Sequence, residues 1–232
     1  MKKRGRSGLI VNLFLLLVIA ALYFATSGSD AVQVMASVYA GPAYRGRSAD
    51  AVALEFAVSW NAAALPDILN VLEQKNTAVT FLVSGAWARE NGDLLRRMTE
   101  EGHEIGTLGD DPSFDGPLSK VTEDVRRSLE AIEDACGVTP ALYYSGERNL
   151  AVSARAARKL NLTHILSTVD LRCGAGSAAD IIQRGLNEPI IGSIILLQPT
   201  KAAAEALSGL IDGLQAKGIR AVRVKEVLYG PV

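Results

Sequence analysis

Histidine and cysteine, the residues most often used for metal binding and nucleophilic catalysis, are scarce in this chain. It contains two histidines, His103 and His164, and two cysteines, Cys136 and Cys173, in 232 residues. Two cysteines exclude a four-cysteine zinc site and a disulfide scaffold. Two histidines so placed offer no Ser-His-Asp or Cys-His arrangement for nucleophilic catalysis. The histidine count therefore limits metal chemistry severely.

The other polar candidates stand at or just after the ends of predicted strands. They are Ser59, Trp60, Asp110, Asp111, Glu147, Arg148, Asp170 and Gln198. Trp60 could stack on a sugar ring or pack at a rim. Asp110 and Asp111 could hold Mg²⁺ or Ca²⁺ weakly, although two adjacent acids in a turn rich in Pro and Gly are more often solvated. Glu147 and Arg148 are either groove residues or a solvated loop pair.

Short apolar runs alternate with amphipathic stretches from about residue 51 onward. The predicted strands are 51–58, 77–84, 104–109, 141–145, 164–169, 193–198 and 220–224, and the predicted helices are 66–75, 93–101, 119–136 with Ser119 as N-cap, 150–160, 178–187 and 202–217. The predicted core includes Ile68, Leu69, Leu72, Val79, Phe81, Ile194 and Leu196. This alternation predicts a parallel sheet covered by helices, either open or closed into a barrel.

The composition is that of an ordinary globular protein. Hydrophobic residues make up 49% and charged residues 21% of the chain, which excludes wholesale disorder. The 24 Lys and Arg nearly balance the 25 Asp and Glu, so the sequence argues against a nucleic-acid partner. The length allows one domain with an appendage, or two small domains.

The N-terminal part of the chain has the pattern of a membrane anchor. Residues 1–7 are basic, residues 8–28 form an uncharged and mainly apolar run, and residues 29–50 read as a linker. About 20 apolar residues suffice to span a bilayer, and the basic flank predicts that residues 51–232 lie outside the cytoplasm. A cleaved signal peptide is the alternative, with Val38-Tyr39-Ala40 as a possible cleavage sequence. A disulfide is permitted outside the membrane, but the separation of Cys136 and Cys173 favours two free thiols.

Several short segments of the sequence, in the same order along the chain, resemble motifs of the polysaccharide deacetylase (NodB homology) family. They are VALEF at 52–56, TFLVSGAWA at 80–88, EGHEIG at 101–106, GVTPALYY at 137–144 and GSIILLQ at 192–198. The resemblance covers residues 51–228 and is nearest to the sporulation-associated branch. In that branch the first motif reads Phe-Asp-Ile-Ser-Trp, where this chain has residues 56–60, FAVSW.

The resemblance implies both a fold and a reaction. The family fold is a distorted (β/α)7 barrel, here preceded by the transmembrane helix. The family removes acetyl groups from polysaccharides such as peptidoglycan and chitin with a divalent metal, usually zinc, held by two His and often an Asp. One Asp acts as the base, and a further His protonates the leaving amine.

The metal and base positions of that family are changed in this chain. The base position is Ala57 and the metal-binding Asp position is Val58. The two His positions of the second motif fall on Leu108 and Pro112, and a one-residue deletion would put Asp111 at the second of them. The resemblance implies a structural role for His103 at a helix-to-strand turn, and His164 is expected at the strand end opposite to the active face.

The later motifs are changed as well. The Arg-Pro-Pro wall of the third motif has become residues 144–147, YSGE, and the acid of the fourth motif falls near Cys173. The His of the fifth motif is Gln198, which removes the general acid. No catalytic residue and no metal or other cofactor are therefore expected.

Two functions remain open from the sequence. The first is a single-pass protein of the cell membrane that binds peptidoglycan, another N-acetylated glycan or an envelope protein through its outer domain, without hydrolysis. The second is a working deacetylase that uses acids and Gln198 in a rebuilt site. A role in the spore cell wall follows only from the branch that the sequence resembles.

Overall fold

The structure is a computed structural model that describes residues 41–60, 63–187 and 191–230. Its strands are β1 Ala51–Val58, β2 Thr80–Val83, β3 Glu104–Thr107, β4 Leu142–Tyr144, β5 Thr163–Ile165, β6 Val169–Asp170, β7 Ile194–Leu197 and β8 Arg220–Val222. Its helices are α1 Leu65–Gln74, α2 Gly85–Glu90, α3 Gly92–Glu100, α4 Leu118–Cys136, α5 Leu150–Lys159, α6 Ala178–Asn187, α7 Lys201–Ala216 and α8 Val224–Tyr229.

The strands form one parallel sheet, as the alternating pattern predicts, and this sheet curls on itself. Seven strands follow the order β5-β4-β3-β2-β1-β7-β6, and β8 pairs with the first residues of β1. Within the described residues the two end strands, β5 and β6, do not pair with each other. The sheet is therefore a parallel half-barrel of seven strands with an added strand, consistent with the fold that the resemblance implies.

The two faces of β1 serve different purposes because successive side chains of a strand point to opposite faces. Phe56 and Val58 pack into the cluster between the sheet and its helices. Ala53 and Ala57 face a smaller inner cluster that also holds Leu108. The inner face is the one that leads to the candidate site.

A short segment before β1 bridges the gap between β5 and β7. The Ala43 N–H donates to the His164 carbonyl oxygen at 2.8 Å, and the Gly46 N–H donates to the Gly192 carbonyl oxygen at 2.8 Å. The Arg47 N–H donates to the Val227 carbonyl oxygen of α8 at 3.0 Å. Residues 43–47 are thus bonded to the barrel, although they fall inside the predicted linker.

The predicted core is confirmed, because all seven of its residues are buried. The single strand predicted at 164–169 is wrong, because this stretch forms two strands, β5 and β6, at opposite ends of the sheet order. Two short helices, α2 and α8, were not predicted. The start of α4 was predicted wrongly: Pro117 occupies the N-cap position and Ser119 lies inside the helix. Six-residue helices are too short to display a 3.6-residue period, which explains the two that the pattern misses.

In the part of the chain that the structure describes, no helix is long and apolar enough to cross a membrane. The predicted basic segment 1–7, the predicted span 8–28 and most of the predicted linker lie outside the described residues. Both cysteines are free thiols.

Candidate functional site

The side chains of Ala57 and Val58, which occupy the base and metal positions of the first motif, point to opposite faces of the sheet. Ala57 is half-buried against the inner cluster, whereas the Val58 side chain is buried beneath the helices. Leu108, at the first histidine position of the second motif, is buried in the same inner cluster as Ala57. The base and ligand positions that face the barrel interior therefore form an apolar surface.

Asp110 and Asp111, the adjacent acids of the second motif, do not converge. The Asp110 carboxylate accepts from the Arg89 guanidinium at 2.6 Å and lies 3.6 Å from the Arg127 Nε, so it faces α2 and α4. The Asp111 carboxylate is exposed and accepts from the backbone N–H and the hydroxyl of Ser113. These two bonds hold the pKa of Asp111 below its ordinary value. Pro112 is half-buried, and its side chain has no atom that could bind a metal ion.

The loop of residues 108–114, which we call the second-motif loop, has several of its backbone groups bonded to the side chains of Asp124 and Arg148. The buried Asp124 carboxylate of α4 accepts from the backbone N–H groups of Asp110 and Asp111 at 3.0 and 3.2 Å. Burial raises the pKa of Asp124. The Arg148 guanidinium donates to the Leu108 carbonyl oxygen at 2.7 Å. Arg148 is half-buried, whereas its neighbour Glu147 is exposed.

Asp170 and Gln198 are brought together at the ends of β6 and β7. The Gln198 amide donates to the Asp170 carboxylate at 3.0 Å. The Gln198 carbonyl oxygen accepts from the Cys173 backbone N–H at 2.8 Å. An amide has no proton to transfer at neutral pH, so Gln198 orders this edge of the site and cannot act as a general acid. The Cys173 thiol is buried, which raises its pKa.

His164 shares a hydrogen bond with Ser145, at 2.8 Å between Nε2 and Oγ. Both side chains are buried, and the His164 Nδ1 has no partner among the described residues. Burial, helped by the charge of Arg148, lowers the pKa of His164 to about 4. Without an acid on Nδ1 or access for a substrate, this pair is not a nucleophile. His164 lies in the middle of β5 and not at its start.

His103 lies in the turn between α3 and β3, where the resemblance places it. Its Nδ1 accepts the Val79 backbone N–H at 3.2 Å, and its Nε2 lies 3.6 Å from the Glu101 carboxylate. Burial lowers the pKa of His103. The ring joins the residue before β2 to the end of α3, which is the structural role that the resemblance implies.

Glu55 is a buried acid that the sequence-based reasoning missed. It lies on β1 two residues before Ala57, on the same inner face, and is fully buried. Neither carboxylate oxygen has a hydrogen-bond partner among the described residues. Burial, with a smaller contribution from Glu104, raises the pKa of Glu55 to about 8. The available signal was a single acid inside the apolar run AVALEFAV.

The side chains at the family's metal positions do not fit a zinc ion. Val58, Leu108 and Pro112 carry no nitrogen, oxygen or sulfur atom in their side chains, and zinc requires such donors. Within residues 41–60, 63–187 and 191–230 there is no group of three or more His, Cys, Asp and Glu that could hold a metal.

Trp60 is the largest exposed apolar side chain near the changed motifs. It follows Ser59 directly after β1, and 86% of it is exposed. The Ser59 carbonyl oxygen accepts from the Ser84 hydroxyl at 3.5 Å, which links the end of β1 to the start of α2. An indole face is therefore presented to solvent at the carboxyl end of β1.

Comparisons with known proteins agree with the resemblance. The family model named polysaccharide deacetylase matches residues 45–165. The uncharacterized protein YlxY of Bacillus subtilis (strain 168) is 32% identical over 81% of this chain and 60% of its own length. The peptidoglycan-N-acetylglucosamine deacetylase PgdA of Listeria monocytogenes is 27% identical over 77% of this chain and 39% of its own length. This chain thus spans between about two fifths and three fifths of these relatives.

A solved structure with a similar fold is described as a CE4 family pseudoenzyme of Bacillus anthracis. Its wild-type form is 23% identical, with a TM-score of 0.77 over 82% of this chain and 69% of that chain. A mutant of the same protein is described as having restored enzymatic activity. At this identity the likeness establishes the fold alone.

Proposed function

The chain belongs to the polysaccharide deacetylase family, and we propose that it is a non-catalytic member that binds an N-acetylated cell-wall glycan such as peptidoglycan. One observation carries the proposal. The fold is retained, while the base, ligand and general-acid positions hold Ala57, Val58, Leu108, Pro112 and Gln198. None of these side chains can ligate zinc strongly or transfer a proton at neutral pH.

The choice of ligand rests on the relatives and on Trp60. Two relatives are named as deacetylases of peptidoglycan N-acetylglucosamine or of chitooligosaccharide. An exposed indole offers an apolar face to a sugar ring, and aromatic side chains supply large contact areas at low entropic cost. An envelope protein is the other ligand class that a non-catalytic member could bind.

A rebuilt hydrolytic site is the second candidate, and the contacts argue against it. Such a site would need Asp110, Asp111 and Gln198 to meet at one point. Asp110 is paired with Arg89 on the helical side, and Gln198 is bonded at both ends of its amide. Asp110 and Gln198 are therefore bonded to other groups and do not meet Asp111 at one point.

We extend the proposal to location. The apolar run 8–28 behind a basic flank would anchor the chain in the cell membrane, with the barrel on the extracytoplasmic side where peptidoglycan lies. The sporulation-associated resemblance makes the wall of the sporulating cell the first place to look for the ligand.

Glycan binding is tested by co-sedimentation of the full chain, kept in detergent, with purified peptidoglycan. The wild type should sediment with the glycan, and Trp60→Ala should weaken that binding by about tenfold, the usual cost of losing an aromatic anchor. Tyr229→Ala is the matched control, because Tyr229 is also exposed but lies on α8. Absence of binding by the wild type, or equal losses in both variants, contradicts the proposal.

A further inference from the structure

Arg148 uses its guanidinium on backbone carbonyl groups. It donates to the carbonyl oxygens of Leu108 at 2.7 Å, Ser145 at 2.8 Å, Phe114 at 3.2 Å and Asp111 at 3.4 Å. Three of these acceptors belong to the second-motif loop, and the fourth belongs to the loop after β4 that carries Arg148 itself. The planar, permanently charged guanidinium suits this task because its donors point outward in a fixed fork. Arg148 therefore cross-links the loops that follow β3 and β4.

Asp124 holds the same loop through its amide groups. Its carboxylate accepts from the backbone N–H groups of Asp110 and Asp111. Gly109, with φ of +90°, makes this approach possible, since a Cβ there would lie 2.6 Å from the Asp124 carboxylate. The Gly109 N–H in turn donates to the Thr107 hydroxyl at 3.0 Å.

The second-motif loop thus has a cation on its carbonyl groups and an anion on its amide groups. In the family that the chain resembles, side chains at positions 108 and 112 would join this loop to a metal. Here those residues are Leu108 and Pro112, which cannot do so. Charge-assisted hydrogen bonds are about twice as strong as neutral ones, so several of them together can order a short loop.

We propose that Arg148 and Asp124 form a clamp that takes over from a metal ion in ordering the second-motif loop. The inference rests on the proposed non-catalytic function. It assigns both residues as positioning residues that keep the mouth of the barrel in shape without a metal. It also explains why the loop stays compact although its ligand positions hold an apolar residue and a proline.

The test is hydrogen exchange, read by mass spectrometry, in residues 108–116 of the full chain. Arg148→Met should speed exchange there by about tenfold or more, as expected for losing charge-assisted bonds. Arg148→Lys should give a smaller increase, because an ammonium keeps the charge and some of the hydrogen bonds, although it cannot reach all four carbonyl oxygens. Arg126→Met is the control: Arg126 is on α4 and pairs with Glu123 and Glu130, so exchange in the loop should not change. Unchanged exchange in Arg148→Met overturns the clamp.

Exchange in β1 and β7 distinguishes a local effect from unfolding. If Arg148→Met also exposes these strands, Asp124→Asn provides the second reading, because its amide can accept from only one of the two N–H groups. This variant should speed exchange in the loop by about tenfold. No change in Asp124→Asn overturns the clamp.

Metal dependence separates the clamp from the proposed function. A chelator should leave exchange in the wild-type loop unchanged; if it speeds exchange, a metal holds the loop and the non-catalytic proposal fails, whatever the arginine variants do. Zinc should not affect Arg148→Met alone. In Arg148→Met combined with Ala57→Asp, Leu108→His and Pro112→His, zinc should slow exchange in the loop by about tenfold, because positions 57 and 108 face the same inner cluster. If zinc does not slow exchange in this variant, the idea that the clamp takes the place of a metal ion is wrong.

Discussion

At the residue scale, Glu55 couples the stability of the barrel to pH. The unfolded chain ionises this carboxyl near its ordinary value of 4.5, whereas burial keeps it protonated in the fold up to about pH 8. Between these values the unfolded state binds fewer protons, so the stability falls as the pH rises and stays constant above about 8. At 1.36 kcal/mol per pKa unit, the loss is at most about 5 kcal/mol.

Glu55→Gln keeps the shape and removes the titration, so this variant should lose that part of the pH dependence. Urea unfolding from about pH 4 to pH 9 measures it, with the wild type and Glu55→Gln diverging as the pH rises through the window. The exposed Glu100→Gln is the control and should follow the wild type. Parallel curves for the wild type and Glu55→Gln would mean that Glu55 has a partner in solution.

The residues of the site were predictable to different degrees. Their identities, such as Ala57 and Leu108, follow from the motif positions alone. The directions in which the side chains point do not follow from the sequence. The Asp110 carboxylate pairs with Arg89 of α2, a helix that the sequence pattern did not indicate. The isolation of Glu55 likewise depends on what surrounds β1 in three dimensions.

At the element scale, the second strand anchors the sheet to its helices. Phe81 is fully buried, its ring centroid lies 5.4 Å from that of Phe56, and it meets His103 edge-on at 5.1 Å. Phe81→Ala should therefore cost about 3–5 kcal/mol of unfolding free energy, measured in urea. Leu150→Ala, at an exposed apolar position, should cost far less. A loss below about 1 kcal/mol for Phe81→Ala would contradict this packing.

The segment of residues 43–47 provides a second prediction at this scale. A Cβ at Gly46 would lie 2.0 Å from the Val227 carbonyl oxygen, so Gly46→Ala must push this segment away from α8. The expected cost is about 1–3 kcal/mol, as for other overpacked sites. Gly174→Ala is the control, because a Cβ there meets no atom within 4 Å. Equal unfolding midpoints for both variants would show that the segment does not contribute to stability.

Most elements were predictable because their apolar residues repeat at the strand or helix period. The exceptions have local causes. The hydroxyl of Ser84 caps α2 by accepting the Trp87 N–H at 3.2 Å. At the start of α8, the Glu226 carboxylate accepts from the Arg223 backbone N–H at 3.4 Å and from the Arg223 guanidinium at 2.7 Å. Each of these helices is marked by a single pair of residues. Hydrophobic periodicity is read over a longer window of sequence, so it does not detect such a pair.

At the scale of the whole molecule, the sequence predicted a helix-covered parallel sheet but not whether it is open. Whether the sheet is open depends on residues 43–47, which carry no strand pattern. In this segment Ala43 pairs with Ile165 of β5, and Arg45 pairs with Ser193, the residue before β7.

The apolar run 8–28 predicts an orientation in the membrane. A reporter that fluoresces only in the cytoplasm should stay dark when fused after Val232 and be bright when fused before Met1. A bright fusion after Val232 would refute this orientation.

The central claim is that the retained fold no longer hydrolyses acetyl groups, and acetate release tests it most directly. The full chain should release no more acetate from N-acetylated glycan oligomers, with added zinc, than zinc alone. Ala57→Asp or Leu108→His alone should not change this, because metal, base and acid act as a unit. Joining these two changes with Pro112→His and Gln198→His should give metal-dependent release. Metal-dependent release by the wild type above the zinc-only control would contradict the account.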